Sequence, residues 1–249
     1  MSNQPKDRFS NYAAGYAAFR PTYPVELYEF ILSQVVQRDY VWDCATGNGQ
    51  VAKDLSAHFN KVFATDISAR QLENAHQQPN IEYSISPAEK TSFPDSSFDL
   101  ITVGQALHWF DFPSFYAEAL RVSKPDGVLA AWGYGLVSIS PEIDMHISHF
   151  YRSVIGPYWD PERKWIDDHF GSIPFPFKEI PSPEFSISLE WTLFELHGYL
   201  TTWSSVQKYI RENEENPVDL LIEKLGSLWP GARLKVIFPL FLRCGRIEK

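Results

Sequence analysis

Four residues are spaced for ligand chemistry: Asp43, Gly47, Gly49 and Asp66. Residues 41–50 read VWDCATGNGQ, in which an apolar run of strand type ends on Asp43 and breaks into the small-residue loop Ala45-Thr46-Gly47-Asn48-Gly49. Helix-forming sequence then runs through residue 59. Glycines at such a turn adopt backbone angles closed to other residues and let a ligand lie against the main chain at the amide-bearing end of the helix. Asp66 ends the next apolar run and follows Asp43 by 23 residues. That interval is close to the ~20 residues that separate a Rossmann-type loop from the acid holding a ribose diol. Loop and acid together predict a nucleoside site.

The spelling of the loop decides which nucleoside. A dinucleotide fold needs G-x-G-x-x-G so that a pyrophosphate can sit on the helix N-terminus, and ATGNGQ does not supply it, which disfavours NAD and FAD. DCATGNGQ instead resembles the D-x-G-x-G-x-G motif of class I S-adenosylmethionine-dependent methyltransferases, with Ala45 in place of the first glycine. The resemblance implies S-adenosyl-L-methionine as cofactor, with Ala45, Thr46 and Gly47 along its methionine part, Asp66 on the ribose and Ile67 against the adenine. The implied reaction passes the sulfonium methyl to an acceptor.

Further segments resemble the same family in chain order. FSNYAAGYAAFRPTYPVELYEFIL is similar to the leader of the type 11 branch related to trans-aconitate methyltransferase, in which a short N-terminal helix covers the cofactor. By that resemblance Tyr12, Tyr16 and Arg20 face the cofactor's carboxylate end or the substrate. An arginine suits either, because its planar fork pairs bidentately with a carboxylate. SPAEKTSFPDSSFDLITV resembles G-D-A-E…L-P-F…S-F-D-L. Pro87 stands where the family often has an acid toward the adenine amine, which leaves a main-chain contact at Ala88, beside Glu89. The string QALHWFD follows the fourth strand, where open α/β sheets place their ligand crevice. Gln105 is a candidate for the methionine amine or the substrate. His108 carries the pKa suited to proton transfer there and is the candidate base or substrate contact, with Trp109 as wall. SKPDGVLAAW resembles L-K-P-G-G-x-L-x-x-W and adds Trp132 as a second wall.

The elements that must position these residues follow from periodicity. Helices are expected at residues 25–37, 50–59, 68–78 and 115–122, and strands at 41–43, 62–65, 81–86, 98–103 and 128–132, with a turn at 124–127. The expected fold is α/β and Rossmann-like, with a mostly parallel seven-stranded sheet and helices on both faces. Residues 1–36 form an N-terminal helical cover, 37–135 the cofactor-binding core, 136–205 a substrate-pocket insertion, and 206–249 the C-terminal helices and last strands. The insertion is too apolar and aromatic for a linker. It carries expected helices near 143–155 and 191–201, and Arg152, Tyr158, Trp159, Trp165 and Trp203 as candidate walls. Further helices are expected at 206–214 and 217–228. The final strand, from residue 234, should lie antiparallel at or near the sheet edge, because Pro239 cannot donate to a ladder.

Composition narrows the partners. The 249 residues include 44% apolar and 15% aromatic side chains, with 8 tryptophans, enough for a core and a ring-lined cavity. A net charge of −9 argues against nucleic acid, which needs a basic face. The 2 cysteines are too few for a disulfide framework, and no long apolar run marks a membrane span, so a reducing cytoplasmic setting is expected. No His, Cys and Asp cluster has metal spacing, so no metal is expected. These readings converge on a small-molecule methyl acceptor, a carboxylate being one candidate. The alternatives are a cofactor-binding regulatory protein without turnover and a methyltransferase acting on a macromolecule.

Overall fold

The computed structural model describes residues 19–249. Tyr12 and Tyr16 lie outside that range. After helix α1 (Val25–Ser33) the chain alternates strand and helix: β1 (Tyr40–Cys44), α2 (Gln50–Ser56), β2 (Lys61–Asp66), α3 (Ala69–Glu73), β3 (Ile81–Ile85), β4 (Phe98–Gly104), α4 (Phe112–Val122) and β5 (Ser123–Tyr134). The second half comprises α5 (Pro141–His149), a π-helical turn (Phe150–Val154), α6 (Arg163–Asp167), β6 (Lys178–Glu179), β7 (Phe185–Trp191), α7 (Leu193–Thr201), α8 (Ser204–Asn213), α9 (Pro217–Gly226) and β8 (Leu234–Ile247). The sheet order is β3-β2-β1-β4-β5-β8-β6, with β7 also on β8. Strands β1 to β5 are parallel, and β8 is antiparallel to its neighbours.

The central strands are apolar on both faces because both faces are covered. Val41, Leu100, Val128, Ala130 and Trp132 pack with α1, α2, α7 and α9, while Trp42, Ile101, Val103, Leu129 and Ala131 pack with α4. Alternate residues of one strand thus serve two cores, as the two-residue period demands. Polar residues set the helix starts. Asp111 accepts from the Ser114 amide at 3.1 Å to cap α4, its pKa lowered by the Ser114 side chain first and this amide second, and Thr192 with Glu195 closes a capping box on α7.

Two expectations need correction. Among the described residues the sheet has eight strands rather than seven, since the insertion contributes β6 and β7 as well as helices. The segment FSISLEW of β7 alternates apolar and polar residues, a strand signal masked by the prolines before it. As expected, β8 is antiparallel and near the edge, one strand in: β5 flanks it on one side and β6 and β7 on the other. Pro239 fits because its missing N–H faces the gap between the end of β5 and the bridge from Ser138 to Ile237, where its carbonyl accepts from Gly135 N at 2.9 Å. The expected turn at 124–127 is a bulge inside β5, with Asp126 at φ 61° and a register shift opposite Phe98 and Leu100.

Phe238 of β8 is fully buried, with the rings of Tyr134, Trp191 and Tyr199 at 5.5, 5.4 and 5.2 Å. Phe238→Ala should therefore cost about 3–5 kcal/mol in urea unfolding. A loss within about 0.5 kcal/mol, as at a surface site, would contradict an interior β8.

Candidate active site

The β1–α2 loop is built on left-handed backbone. Ala45, Gly47 and Gly49 have φ of 55°, 57° and 77°, a region that costs a residue with a Cβ roughly 1–2 kcal/mol. Ala45 carries that cost where the family motif has glycine. The two glycines answer different needs. A Cβ on Gly49 would lie 2.3 Å from the Tyr83 hydroxyl, so Gly49 makes room for a packed ring. A Cβ on Gly47 would meet nothing within 4 Å, so its outer side is open, as a cofactor lying on the main chain requires.

Beneath the loop Asp43 is fully buried. Thr46 Oγ1 donates to one of its carboxylate oxygens and Thr102 Oγ1 to the other at 2.9 Å. Burial pushes its pKa from the usual carboxylate range to about 7, against the opposing pull of these hydrogen bonds. Burial likewise raises the thiol of adjacent Cys44. Asp66, at the end of β2, ties the loop to the next strand: Oδ2 accepts from Gly47 N at 2.9 Å and Oδ1 from Ser68 N at 2.8 Å. The carboxylate expected to hold the ribose is thus oriented by the very loop expected to carry the methionine. Ile67, beside it, is 37% exposed. Ala88 is buried, and Glu89 accepts from Asp111 N at 3.1 Å, joining this rim to the cap of α4. Loop opening, oriented acid and exposed apolar side chain fit an adenosine-bearing cofactor.

Gln105 has a duty that its position after β4 did not foretell. At φ 55° its own amide donates to Trp132 O at 2.8 Å, while its side-chain Oε1 accepts from Tyr134 N at 2.8 Å. The side chain continues the β4–β5 ladder beyond the end of β4, and it can do so because a Cβ on Gly133 would sit 2.8 Å from that oxygen. Tyr134 is fixed in turn, and its hydroxyl accepts from Arg20 Nη1 at 2.8 Å. The Arg20 guanidinium also stands 5.7 Å from the Tyr199 ring centroid. Phe19 anchors this segment on α7, where a Cβ on Gly198 would come within 2.6 Å of its ring.

Other candidates fall elsewhere. His108 is buried in a short 3-10 turn, its ring 4.5 Å from Trp109 and 6.3 Å from Phe170. Trp109 is half-buried beside it. Trp132 has no exposed surface, being covered edge-on by Tyr23 and Tyr28 at 5.4 and 6.4 Å, and forms core rather than an open wall. Arg152 is exposed, because the π-helical turn directs Tyr151 inward and its neighbour outward. Trp165 packs on Phe112 on the opposite face of the sheet from Trp203, and Tyr158 packs on Tyr209 of α8. Trp203 does join a ring cluster, with Tyr151, Trp159 and Tyr199 each at 5.7 Å. Arg163, not singled out from the sequence, holds the place expected for Arg152: it lies over Trp159 and Tyr151 at 4.5 and 5.2 Å. Its one sequence signal was an arginine four residues after a tryptophan, in an aromatic-rich stretch.

The family of the methyltransferase domain matches residues 42–131. A protein designated a methyltransferase in Dictyostelium discoideum is 37% identical over 223 residues, spanning 88% of this chain and 85% of its own. A solved structure from Anaeromyxobacter dehalogenans, designated a type II methyltransferase, aligns with a TM-score of 0.85 at 35% identity over 93% of this chain and 99% of its own. A Saccharomyces cerevisiae protein designated an S-adenosylmethionine-dependent methyltransferase is 22% identical over 87% of each chain. The chain belongs to the class I S-adenosylmethionine-dependent methyltransferases. Among the described residues no helix is long and apolar enough to cross a membrane.

The raised pKa of Asp43 gives a signed pH dependence. Between about pH 4, where an unfolded aspartate titrates, and about pH 7, the folded protein binds the extra proton. Asp43 therefore supports the fold below that window, and stability falls as pH rises through it, by at most about 1.4 kcal/mol per unit. Urea midpoints of wild type should decline from pH 4.5 to 7.5 relative to Asp43→Asn, and parallel profiles would refute the assignment. A second test concerns the seat of Phe19. Gly198→Val should displace that ring and speed hydrogen exchange of residues 19–23 while α7 itself stays protected, whereas unchanged exchange would show that Gly198 does not hold the segment.

Proposed function

We propose that the protein transfers the methyl group of S-adenosylmethionine to a small acceptor bearing a carboxylate or similar anionic group. The observation that carries the reading is a guanidinium, Arg20, held by the Tyr134 hydroxyl and the Tyr199 ring at the mouth of an aromatic cluster, next to the strand ends that carry the cofactor loop. The planar fork of an arginine suits it to pair with a carboxylate or similar anion. The negative overall charge speaks against a polyanion as acceptor.

In this reading Asp66 receives the ribose hydroxyls, the main chain at Ala45, Thr46 and Gly47 borders the methionine part, and Ile67 lies on the adenine. When bound, S-adenosylmethionine supplies an electrophilic methyl with its leaving group already attached. The protein's task is then to hold the acceptor oxygen in line with that methyl and to exclude water, a positioning effect that can supply ~7–11 kcal/mol. An ionised carboxylate needs no base. Arg20 serves either the cofactor's own carboxylate or the acceptor's.

Calorimetry with S-adenosylhomocysteine tests the cofactor half. Asp66→Ala should weaken binding about 10- to 100-fold with the circular dichroism unchanged, the effect of ~1.5–3 kcal/mol for hydrogen bonds to a charged group. Turnover on a panel of small carboxylic acids tests the acceptor half, and here Arg20→Met should raise the acceptor KM while sparing S-adenosylhomocysteine affinity if Arg20 holds the acceptor. Methylation of tRNA or a protein, with every small acid refused, would refute this half.

A further inference from the structure

Arg163 begins α6 with its guanidinium carbon 4.5 Å from the Trp159 ring centroid and 5.2 Å from that of Tyr151. Its Nε donates to the Tyr151 hydroxyl at 2.6 Å, and that hydroxyl gives its one proton to Asp167 Oδ1 at 2.5 Å. The proton order is therefore fixed: Asp167 orients Tyr151, and Tyr151 orients Arg163. Burial raises the Tyr151 pKa, which keeps that proton in place. The Asp167 carboxylate also lies 3.6 Å from Nε, so among the described residues the engaged edge of the guanidinium is the Nε one, and the side chain is 20% exposed. The neighbouring acid Asp160 is already paired with Lys208 at 2.7 Å.

We propose that Arg163 is a specificity-determining residue that grips the anionic group of the methyl acceptor through Nη1 and Nη2, beside the packed ring cluster of Tyr151, Trp159, Trp203 and Tyr199. The inference rests on the reading that the acceptor binds against this cluster. A planar cation stacked on rings and held at one nitrogen presents its other edge as a preformed fork, and such a fork discriminates a carboxylate from a neutral amide of the same shape. The rings add the apolar faces that a planar acceptor body would meet. Arg20 and Arg163 stand on the same ring cluster, and the charges of both act on the Tyr199 hydroxyl, whose pKa burial raises. The ring cluster thus has one cation near the ends of the sheet strands and one in the insertion.

The test is tryptophan-fluorescence titration of the full chain with benzoate and cinnamate, and with benzamide as the neutral isostere, with and without S-adenosylhomocysteine. Wild type should bind the acids at least tenfold more tightly than benzamide. Arg163→Gln should remove that preference, Arg163→Lys should restore only part of it, and Arg152→Gln should leave it intact. S-adenosylhomocysteine affinity should be unchanged in Arg163→Gln. Failure of wild type to bind the acids, equal affinity for acid and amide, or full acid binding by Arg163→Gln alongside a lowered Tm would overturn the proposal, the last showing that Arg163 only plugs the ring cluster. Discrimination intact in a protein that methylates none of the acids would refute the reaction proposed above and uphold the grip.

Discussion

A carboxylate with no water around it governs the cofactor end of this molecule. Asp43 closes β1 at the point where the chain must turn through three left-handed residues, and Thr46 and Thr102 satisfy its two oxygens from the loop above and the strand beside it. Burying the group is costly unless those hydroxyls are in place, so loop geometry and strand pairing are bound to one another. Asp66 repeats the device one strand over: its carboxylate takes the Gly47 amide and so couples loop to acid. The two ends of a nucleoside site are set by two aspartates, one fully buried and one at the rim.

The ring-rich end is organised differently. Here the guanidinium groups stack on rings: Arg20 beside Tyr199 with a bond to Tyr134, and Arg163 on Tyr151 and Trp159, with Asp167 3.6 Å from its Nε. Cation–ring contacts orient a guanidinium by its face. Gln105 joins the two ends. Its side chain substitutes for a missing backbone partner beyond β4, fixes the main chain of Tyr134, and thereby sets the hydroxyl on which Arg20 rests.

What the sequence by itself determined was everything written in short-range pattern. The strand, glycine loop and helix of residues 41–56, the acid at Asp66 and the order of the parallel strands all depend on local backbone preference and on an apolar period that a single chain displays. The interval to Asp66 was readable because a helix of fixed rise must cross back before the next strand can pair. The aromatic richness of the insertion and the presence of arginines in it were readable as types.

Only the tertiary structure decided which arginine. Arg152 and Arg163 have similar local surroundings in sequence, but a π-helical turn rotates one to the surface, and the contact of Arg163 with Tyr151 spans 12 residues with no periodic signature. The same holds for Trp132, whose wall-like position in a motif is cancelled by Tyr23 and Tyr28 arriving from the first helix and the segment before it. It holds too for β8, where the proline that marks an edge in a lone strand faces a gap created by the end of β5. Each depends on what lies across the fold, and composition and spacing carry no record of which side chains will meet there.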